Sequence, residues 1–375
     1  MKSINMKTLW ITADDALTRL GTKPQTLYAN VSRGRIKAKP DPRDSRRSLY
    51  RSDDVQRMAG QRAGRRTQAT VASEAMAWGE PVLRTGLSTI IDGRLLYRGQ
   101  DACALADTST LEDVAALLWR SPVSLSVTDA LPVEPGIKAA FMALAQRAAE
   151  PGAMAHSVAE AGRVLGTLAQ ALTGEADGLL HQRLARRWAR PEAADSIRRA
   201  LVLLADHELN ASTFAARVTV STGASLWAGA LSGLATLTGP RHGLASRAIA
   251  ALAEDVGHSD DPEEALRDWL GEGRHVPGMG HRLYPDGDPR CVALLSGFDL
   301  PPAFAAFRGA AETITGDLPN VDFALAALVV RFDLPSDAAL ELFAMARCVG
   351  WLAHMLEQSA SGDLIRPRAR YVSAV

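Results

Sequence analysis

The residues from 81 onward form a succession of alanine- and leucine-rich segments in which apolar side chains recur with the period of an α-helix. This period places them on one helix face, whereas a half-buried strand would alternate apolar and polar residues. The expected fold class is therefore all-α, with helices packed around one large core. The predicted helices cover 109–119 (capped by Ser109 or Thr110), 137–149, 156–172, 194–207, 210–236, 243–256, 262–270, 302–314, 322–331 and 336–358.

One β-hairpin is predicted within this helical pattern. Two apolar runs in the segment 87–99 flank the dipeptide Asp92-Gly93. Asp-Gly favours the tight turns of hairpins, because both central residues of such a turn adopt positive φ. The segment is therefore expected to fold back on itself as two antiparallel strands.

Basic residues are concentrated at the start of the chain. Residues 1–68 contain 16 Lys and Arg against 6 Asp and Glu, although the whole chain has no net charge. Such an excess suits a polyanion such as DNA, because cationic side chains neutralise phosphates and release counterions. A solvated tail or a dimerisation arm would show the same excess. We expect a small basic module, with nucleic acid as a candidate partner, joined to an acidic body.

The basic segment also contains two short helical patterns. TADDALTRLG (12–21) and KPQTLYANVSRG (23–34) each end at a glycine and are separated by a short break, as in a helix-turn-helix. The arrangement resembles the winged helix-turn-helix modules of the MerR and excisionase type. The module would occupy 1–60 and a linker 61–80. The resemblance implies that Gln25, Thr26, Tyr28 and Arg33 face the DNA groove and that Arg43, Arg46 and Arg47 form the wing.

Cysteine spacing and hydropathy indicate the cellular compartment of the protein. Cys103, Cys291 and Cys348 are too widely and irregularly spaced for a disulfide framework or a zinc site. No apolar run at the start resembles a signal peptide, and no charge-free stretch of about 18 apolar residues indicates a membrane span. We expect a cytoplasmic protein with reduced thiols and no membrane partner.

Three of the eight histidines stand in unusual surroundings. His207 lies in DHELNASTFAARV, His242 is followed by Gly243 in TGPRHGLAS, and His281 follows Gly280 in VPGMGHRLYPDGDPR. Glycine beside a histidine permits a ligand to approach the backbone closely. The stretch 276–290 is rich in Gly, Pro, Asp and Arg and reads as a loop that contacts a polar anionic ligand.

Several other kinds of site are disfavoured by the motifs of the chain. HxxxH, HExxH and CxxC spacings are absent, so no metal is expected. The sequence also lacks a G-x-S-x-G elbow, a G-x-G-x-x-G turn and a Walker loop, which disfavours a serine hydrolase and a nucleotide cofactor. What remains is acid–base chemistry by histidine and carboxylate, with arginines holding an anion.

Six motifs now carry a family resemblance. DHELNASTFAARV, GPRHG, PGMGHRLYPDGDPR, NVDFALAAL, ARCVGWLAH and LIRPRARYV follow one another between 206 and 371 in the order found in citrate synthases. The weaker RTGLSTIIDGRLLYRG is similar to the family's N-terminal strand region. The resemblance implies a homodimer of two-domain helical subunits without a cofactor, in which a small domain (242–321) closes over a large one (81–241 and 322–375).

The resemblance also implies roles for individual residues. His242 would hydrogen-bond the thioester oxygen of an acyl-CoA, Asp322 would remove a proton from its α-carbon, and His281 would donate to the ketone of oxaloacetate. The oxaloacetate carboxylates would be held by His207, Arg290, Arg347 and Arg366, with Arg366 coming from the partner subunit. The backbone of Val276, Pro277, Gly278, Met279 and Gly280 would contact CoA. Arg241 would add a cation beside His242, which could lower its pKa or perturb the cleft.

Elementary chemistry agrees with these roles, and three functions stay open. A thioester α-carbon is a weak acid, so a carboxylate base needs a donor that stabilises the developing enolate oxygen, worth roughly 3 kcal/mol. The helix dipole at the start of 322–331 is expected to favour the ionised form of Asp322. The leading function is an acyl-CoA condensing enzyme, either citrate synthase with acetyl-CoA or 2-methylcitrate synthase with propionyl-CoA. The others are a DNA-binding regulator that senses a metabolite and a non-catalytic scaffold.

Overall fold

The computed structural model describes residues 10–20, 22, 27–28, 30–31, 36–41, 44–52, 54–55, 83–126, 133–150, 156–240 and 242–368. The chain divides into two compact units, and the boundary between them falls at 82/83. The first unit comprises Met1–Val82 with Pro367–Val375, and the second comprises Leu83–Arg366.

The first unit combines a helix with a small antiparallel sheet. Strands β1 (Trp10–Ile11), β2 (Ala38–Asp41) and β3 (Asp44–Arg51) pair in the order β1-β3-β2. Helix α1 (Ala13–Leu20) begins as predicted, because Thr12 Oγ1 accepts the backbone N–H of Asp15 at 3.2 Å. The buried core of the first unit contains Ile11, Ala16, Leu20, Leu27, Ile36, Tyr50 and Val55. The helix-turn-helix assignment itself stays a prediction.

The second unit opens with the predicted hairpin. Strands β4 (Ser88–Ile91) and β5 (Arg94–Tyr97) are antiparallel, and β6 (Gln100–Asp101) extends the sheet in the order β4-β5-β6. Asp92 and Gly93 form the turn with φ of 50° and 72°. Both values are positive, as a tight hairpin turn requires. The hairpin prediction is confirmed.

The other regular elements in the described part of the second unit are helices, so the all-α prediction is confirmed with only a minor sheet. They are α2 (Ala102–Thr108), α3 (Leu111–Trp119), α4 (Ile137–Ala148), α5 (Val158–Thr173), α6 (Leu180–Arg187), α7 (Ala194–Leu204), α8 (Ala211–Ser221), α9 (Leu226–Leu237), α10 (Ala245–Gly257), α11 (Pro262–Gly271), α12 (Pro289–Leu295), α13 (Pro302–Thr315), α14 (Val321–Arg331) and α15 (Ala338–Ser361), with a 3-10 turn at Pro191–Ala193. The division into a large and a small domain stays a prediction.

The prediction of one long helix over 210–236 was wrong, because the structure contains two helices there. Gly223 has φ of 87°, which a continuing helix does not permit. Ser225 then caps α9 by accepting the backbone N–H of Ala228 at 3.2 Å. The apolar period continues across the break, which is why periodicity alone joined α8 and α9.

Helix α15 is the centre of the second unit. It packs against α3, α5, α7, α8, α9 and α14, and most of its 24 residues are buried. Small residues on α9 let it approach closely, since a Cβ on Gly233 would lie 2.7 Å from the Trp351 ring. Among the described residues α15 is the one helix long and apolar enough to cross a membrane, but 94% of that apolar window is buried inside the protein. Its apolar residues are therefore already used in packing.

Candidate active site

The structure brings several of the predicted site residues to the ends of different helices. His207 follows α7, His242 precedes α10, His281 lies in the loop before α12, and Asp322 lies in the first turn of α14. The rings of His207 and His281 contact each other edge to face, with centroids 5.3 Å apart. Residues far apart in the sequence thus meet at one place in the second unit.

Tyr284 also lies among these residues, although it was not predicted as a site residue. Its hydroxyl is 2.9 Å from Nε2 of His207, and its ring centroid is 4.8 Å from that of His281. The Arg290 guanidinium lies 5.2 Å from the same ring, within the range of a cation–π contact. Tyr284 is buried, and burial raises its pKa, so its phenol stays protonated.

Arg290 is held by a buried carboxylate. Asp288 accepts hydrogen bonds from Nε and Nη2 of Arg290 at 2.9 and 2.8 Å, and both side chains are almost fully buried. Burial disfavours the charge of Asp288, but the Arg290 guanidinium outweighs burial and lowers the pKa of that carboxyl. The pair is therefore ionised, and Asp288 fixes the direction of the guanidinium.

The carboxylate of Asp322 has a different environment. Asn320 caps α14 and accepts the backbone N–H of Asp322 at 3.0 Å, yet no hydrogen-bond donor among the described residues reaches the Asp322 carboxylate. Burial raises the pKa of Asp322 to about 6, against the opposing effect of Arg290. The expected stabilisation of the anion by the helix dipole is therefore outweighed by burial. A carboxylate with a pKa near 6 is a stronger base than an exposed one and is still ionised at neutral pH.

His242 is held through a serine that the sequence did not point to. Nε2 of His242 is 2.8 Å from Oγ of Ser212, which also accepts the Nε1–H of Trp351 at 3.1 Å. Burial lowers the pKa of His242 to about 4, and the charge of Arg347 acts in the same direction. His242 is therefore a neutral imidazole at physiological pH. Arg241, to which the sequence assigned a part in this effect, lies outside the described residues.

The tautomer of His281 follows from a backbone contact. The N–H of Leu283 donates to Nδ1 of His281 at 3.2 Å, so Nδ1 is the unprotonated nitrogen. Burial, with Arg290, lowers the pKa of His281. The ring is neutral and carries its proton on Nε2, which is then available as a donor.

Arg347 supplies a second buried cation. Its Nε donates to the carbonyl oxygen of Leu204 at 2.9 Å, and its guanidinium lies 4.9 Å from the Phe343 ring. The other N–H groups of the guanidinium have no hydrogen-bond partner among the described residues. Burial lowers the pKa of Arg347 to about 10, which leaves it charged at neutral pH. This arginine can therefore still bind an anion.

The loop predicted to contact CoA is tied to the start of α14. Gly280 N–H donates to the carbonyl oxygen of Leu318 at 2.8 Å, and Asn320 N–H donates to the carbonyl oxygen of Gly278 at 2.9 Å. Gly278 and Gly280 have φ of 80° and 69°, which other residues adopt only with strain. The loop 276–280 is thus coupled to Asp322, while its contact with CoA stays a prediction.

The remaining predicted residues are not part of this cluster. Arg366 is exposed after α15, and no hydrogen bond or ring contact among the described residues joins it to the histidines. In the first unit Tyr28 is 57% exposed, and the exposed Arg47 pairs with Asp44 at 3.4 Å. Gln25, Thr26, Arg33, Arg43 and the side chain of Arg46 lie outside the described residues. Within the described ranges no group of His, Cys, Asp and Glu is arranged to hold a metal ion.

The site residues that were not predicted lie within the quoted motifs, and each acts through its contact with a predicted residue. Asp288 precedes Pro289 and could have been found as the N-cap of the short helix that carries Arg290. Ser212 and Trp351 gave no local signal, because they meet His242 only in the folded chain.

The part of the chain that forms this site resembles known proteins. The family model described as citrate synthase, C-terminal domain, matches residues 137–368. The citrate synthase of Haloferax volcanii is 40% identical over 192 residues, covering 48% of this chain and 50% of that protein. The 2-methylcitrate synthase 1 of Corynebacterium glutamicum is 34% identical over 196 residues, with the same coverage of each. The chain thus spans about half the length of the curated relatives it matches.

Solved structures resemble a larger part of the chain. The citrate synthase of Thermotoga maritima MSB8 matches with a TM-score of 0.67 and 26% identity, covering 80% of this chain and 96% of that one. The citrate synthase of Thermoplasma acidophilum, solved as a ternary complex with carboxymethyl coenzyme A and oxaloacetate, matches with a TM-score of 0.64 over 79% of this chain and 95% of that one. At 23% identity the second likeness concerns the fold alone.

Proposed function

The chain belongs to the citrate synthase family, and from that premise we propose that it condenses an acyl-CoA, most readily acetyl-CoA, with oxaloacetate to give citrate and free CoA. The observation that carries the proposal is the environment of Asp322. Burial raises its pKa to about 6, and the site also contains two neutral imidazoles, His242 and His281. A base of this strength and neutral donors are what enolisation of a thioester requires.

In the first step Asp322 takes a proton from the methyl group of acetyl-CoA while His242 hydrogen-bonds the thioester oxygen. Ser212 has a single hydroxyl proton, which it can donate to Nε2 of His242 while it accepts from Trp351. The His242 proton then resides on Nδ1, which becomes the donor to the enol oxygen. A positioned donor of this kind lowers the barrier to enolisation by roughly 3 kcal/mol.

In the second step the enol carbon attacks the ketone carbon of oxaloacetate. The new alkoxide oxygen takes the proton that His281 carries on Nε2, and the product is citryl-CoA; His281 then regains a proton from solvent and Asp322 releases the proton that it took from the methyl group. Water then hydrolyses the thioester to give citrate and free CoA.

Two buried arginines are the proposed anchors for the two carboxylates of oxaloacetate. Arg290 is oriented by Asp288, and Arg347 retains unused N–H groups. Guanidinium groups bind carboxylates through paired, charge-assisted hydrogen bonds, each worth about 1.5–3 kcal/mol when buried. His207 adds a neutral contact. The proposal also includes a cytoplasmic homodimer in which Arg366 completes the partner's site.

The test is a free-thiol assay with acetyl-CoA and oxaloacetate, with citrate identified by mass spectrometry. We expect thiol release that requires both substrates and is lost in Asp322→Ala. Asp299→Ala, which removes an exposed carboxylate elsewhere in the same unit, is the matched control and is expected to keep full activity. Undiminished turnover in Asp322→Ala would refute the assignment of the base, and absence of any thiol release would refute the proposed reaction.

Propionyl-CoA is the alternative acyl donor, because relatives of both kinds match the chain. The two donors differ by one methylene, which a pocket discriminates by roughly 1–3 kcal/mol. The ratio of kcat/KM for acetyl-CoA and propionyl-CoA in the same thiol assay decides between citrate and 2-methylcitrate synthesis.

A second candidate function, DNA binding, is favoured by the surface of the first unit. The hairpin β2–β3 carries the exposed Lys39 and Arg47, and Lys37 immediately precedes it. Fluorescence anisotropy with duplex DNA at physiological salt, with and without oxaloacetate, tests this function. Loss of one phosphate contact in Arg47→Ala is expected to reduce the salt slope by about one. Absence of binding even at low salt would exclude it.

A further inference from the structure

Tyr284 lies among the residues that are predicted to bind oxaloacetate. Its hydroxyl is hydrogen-bonded to His207, its ring packs on His281, and its ring face is within cation–π distance of Arg290. The residue is only 2% exposed. A side chain in this position contacts three of the groups to which the proposed function assigns the keto acid.

The hydrogen-bonding capacity of the pair exceeds the one bond it makes. A phenol has one donor and two acceptor positions, and a neutral imidazole has one donor and one acceptor. Two N–H and O–H protons are therefore available for the single Tyr284–His207 bond. When Nε2–H of His207 donates to the phenolic oxygen, the phenol proton is left for another acceptor.

Resting on the proposed function, we propose that Tyr284 is a keto-acid-binding residue: its hydroxyl accepts from His207 and donates to an oxygen of bound oxaloacetate, so that tyrosine and histidine recognise the keto acid as one unit. No proton is gained or lost in this step. The phenol proton gains an acceptor in the keto acid, and Nε2–H of His207 keeps its hydrogen bond to the phenolic oxygen.

The isosteric variant Tyr284→Phe separates this role from packing, because it removes the hydroxyl and retains the ring contacts with His281 and Arg290. A lost hydrogen bond to a charged ligand corresponds to roughly a 10- to 100-fold weaker interaction. We expect the KM for oxaloacetate to rise by about that factor, while the KM for the acyl-CoA and the kcat at saturating oxaloacetate change by less than about threefold. Tyr50→Phe, a buried tyrosine of the first unit, is the matched control and is expected to change neither constant.

Two outcomes would overturn the proposal. One is an unchanged KM for oxaloacetate in a variant with the thermal stability of the original chain. The other is a fall in kcat with unchanged KM, which would make Tyr284 a positioning residue for catalysis rather than a ligand for the keto acid.

A second measurement uses the unaltered protein. Titration with oxaloacetate alone, followed by calorimetry and by the tyrosine ultraviolet difference spectrum, is expected to show a difference band that saturates with binding. Binding without such a band would contradict the proposal even if Tyr284→Phe fails to fold. If the chain binds oxaloacetate with the band but releases no thiol, the proposed reaction fails and the role of Tyr284 stands.

Discussion

Oδ2 of Asp288 accepts the backbone N–H of Val321 at 3.0 Å, and the same carboxylate forms two hydrogen bonds with the Arg290 guanidinium. Val321 is the first residue of α14 and directly precedes Asp322. A single buried carboxylate thus fixes both the cation that binds a substrate carboxylate and the start of the helix that carries the base. The position of Asp322 relative to Arg290 therefore depends on Asp288.

Replacing Asp288 by asparagine is expected to destabilise the protein by about 3–5 kcal/mol, because the buried Arg290 cation loses its counter-ion. Denaturation in urea, followed by circular dichroism, measures this change. Asp299→Asn, the same replacement at an exposed position, is expected to change the free energy of unfolding by less than about 0.5 kcal/mol. Equal stability of the two variants would show that the Asp288–Arg290 pair has no structural role.

The activity is expected to fall as the pH drops through about 6. The base must be ionised, and burial raises the pKa of Asp322 to about 6, so kcat/KM should reach a plateau above this pH. His242 does not add to this limb, because burial lowers its pKa to about 4. The profile of kcat/KM against pH measures the limb, and a half-maximal point near pH 4 would contradict the assigned environment of Asp322.

Asp322→Asn is expected to stabilise the folded chain while it removes activity. The folded-state pKa of about 6 lies above the value of about 3.9 in an unfolded chain, so ionisation of Asp322 lowers the free energy of unfolding as the pH rises from about 3.9 to about 6, and the full cost is present above the folded pKa. In Asp322→Asn the free energy of unfolding should rise by about 1–2 kcal/mol at pH 8, less than the full shift implies because the side chain is half-buried, and the gain should vanish at about pH 3, below the pKa of both states. Urea denaturation at the two pH values checks the sign, and a loss of stability at pH 8 would contradict it.

Gly233→Ala is expected to displace the Trp351 ring and thereby to disturb the hydrogen bonds that hold His242. The added Cβ would lie 2.7 Å from the buried ring of Trp351, whose indole N–H donates to Ser212. Overpacking of this kind costs about 1–3 kcal/mol, and displacement of the indole should also lower kcat. Thermal unfolding and the thiol assay measure the two effects.

The control for that substitution is Gly309→Ala in α13. Gly309 is an exposed helical residue with open space around its Cα, so alanine is expected to stabilise the helix by about 0.5–1 kcal/mol. The same loss of stability in both variants would show that the Trp351 contact is not the cause.

Helix positions could be predicted from the sequence because apolar period and capping act over a few residues. Thr12 and the Asp92-Gly93 turn behave as local chemistry dictates. Helices α2, α6 and α12, each of seven or eight residues, were not predicted from the sequence. The break at Gly223 was missed because the apolar pattern continues on both sides of it.

Within the motifs, the histidines, the arginines and Asp322 could be predicted as site residues, but the residues that hold them could not. His207, His281 and Arg290 meet around Tyr284, but no local pattern announced that tyrosine, since its importance comes from contacts formed by folding. The basicity of Asp322 was predicted with the wrong sign of shift. Its position at a helix start is visible in the sequence, whereas the burial that raises its pKa is a property of the packed chain.

The placement of Arg347 in the middle of α15 determines which parts of the candidate site can unfold locally. Amide hydrogens around Arg347 should exchange with solvent only when the whole second unit unfolds, because neighbouring helices enclose α15 on several sides. The turn that carries His281 contains no regular helix and can exchange by local opening. The helix that carries Arg347 is thus the most persistent part of the candidate site, and the turn that carries His281 is the part that can open without global unfolding.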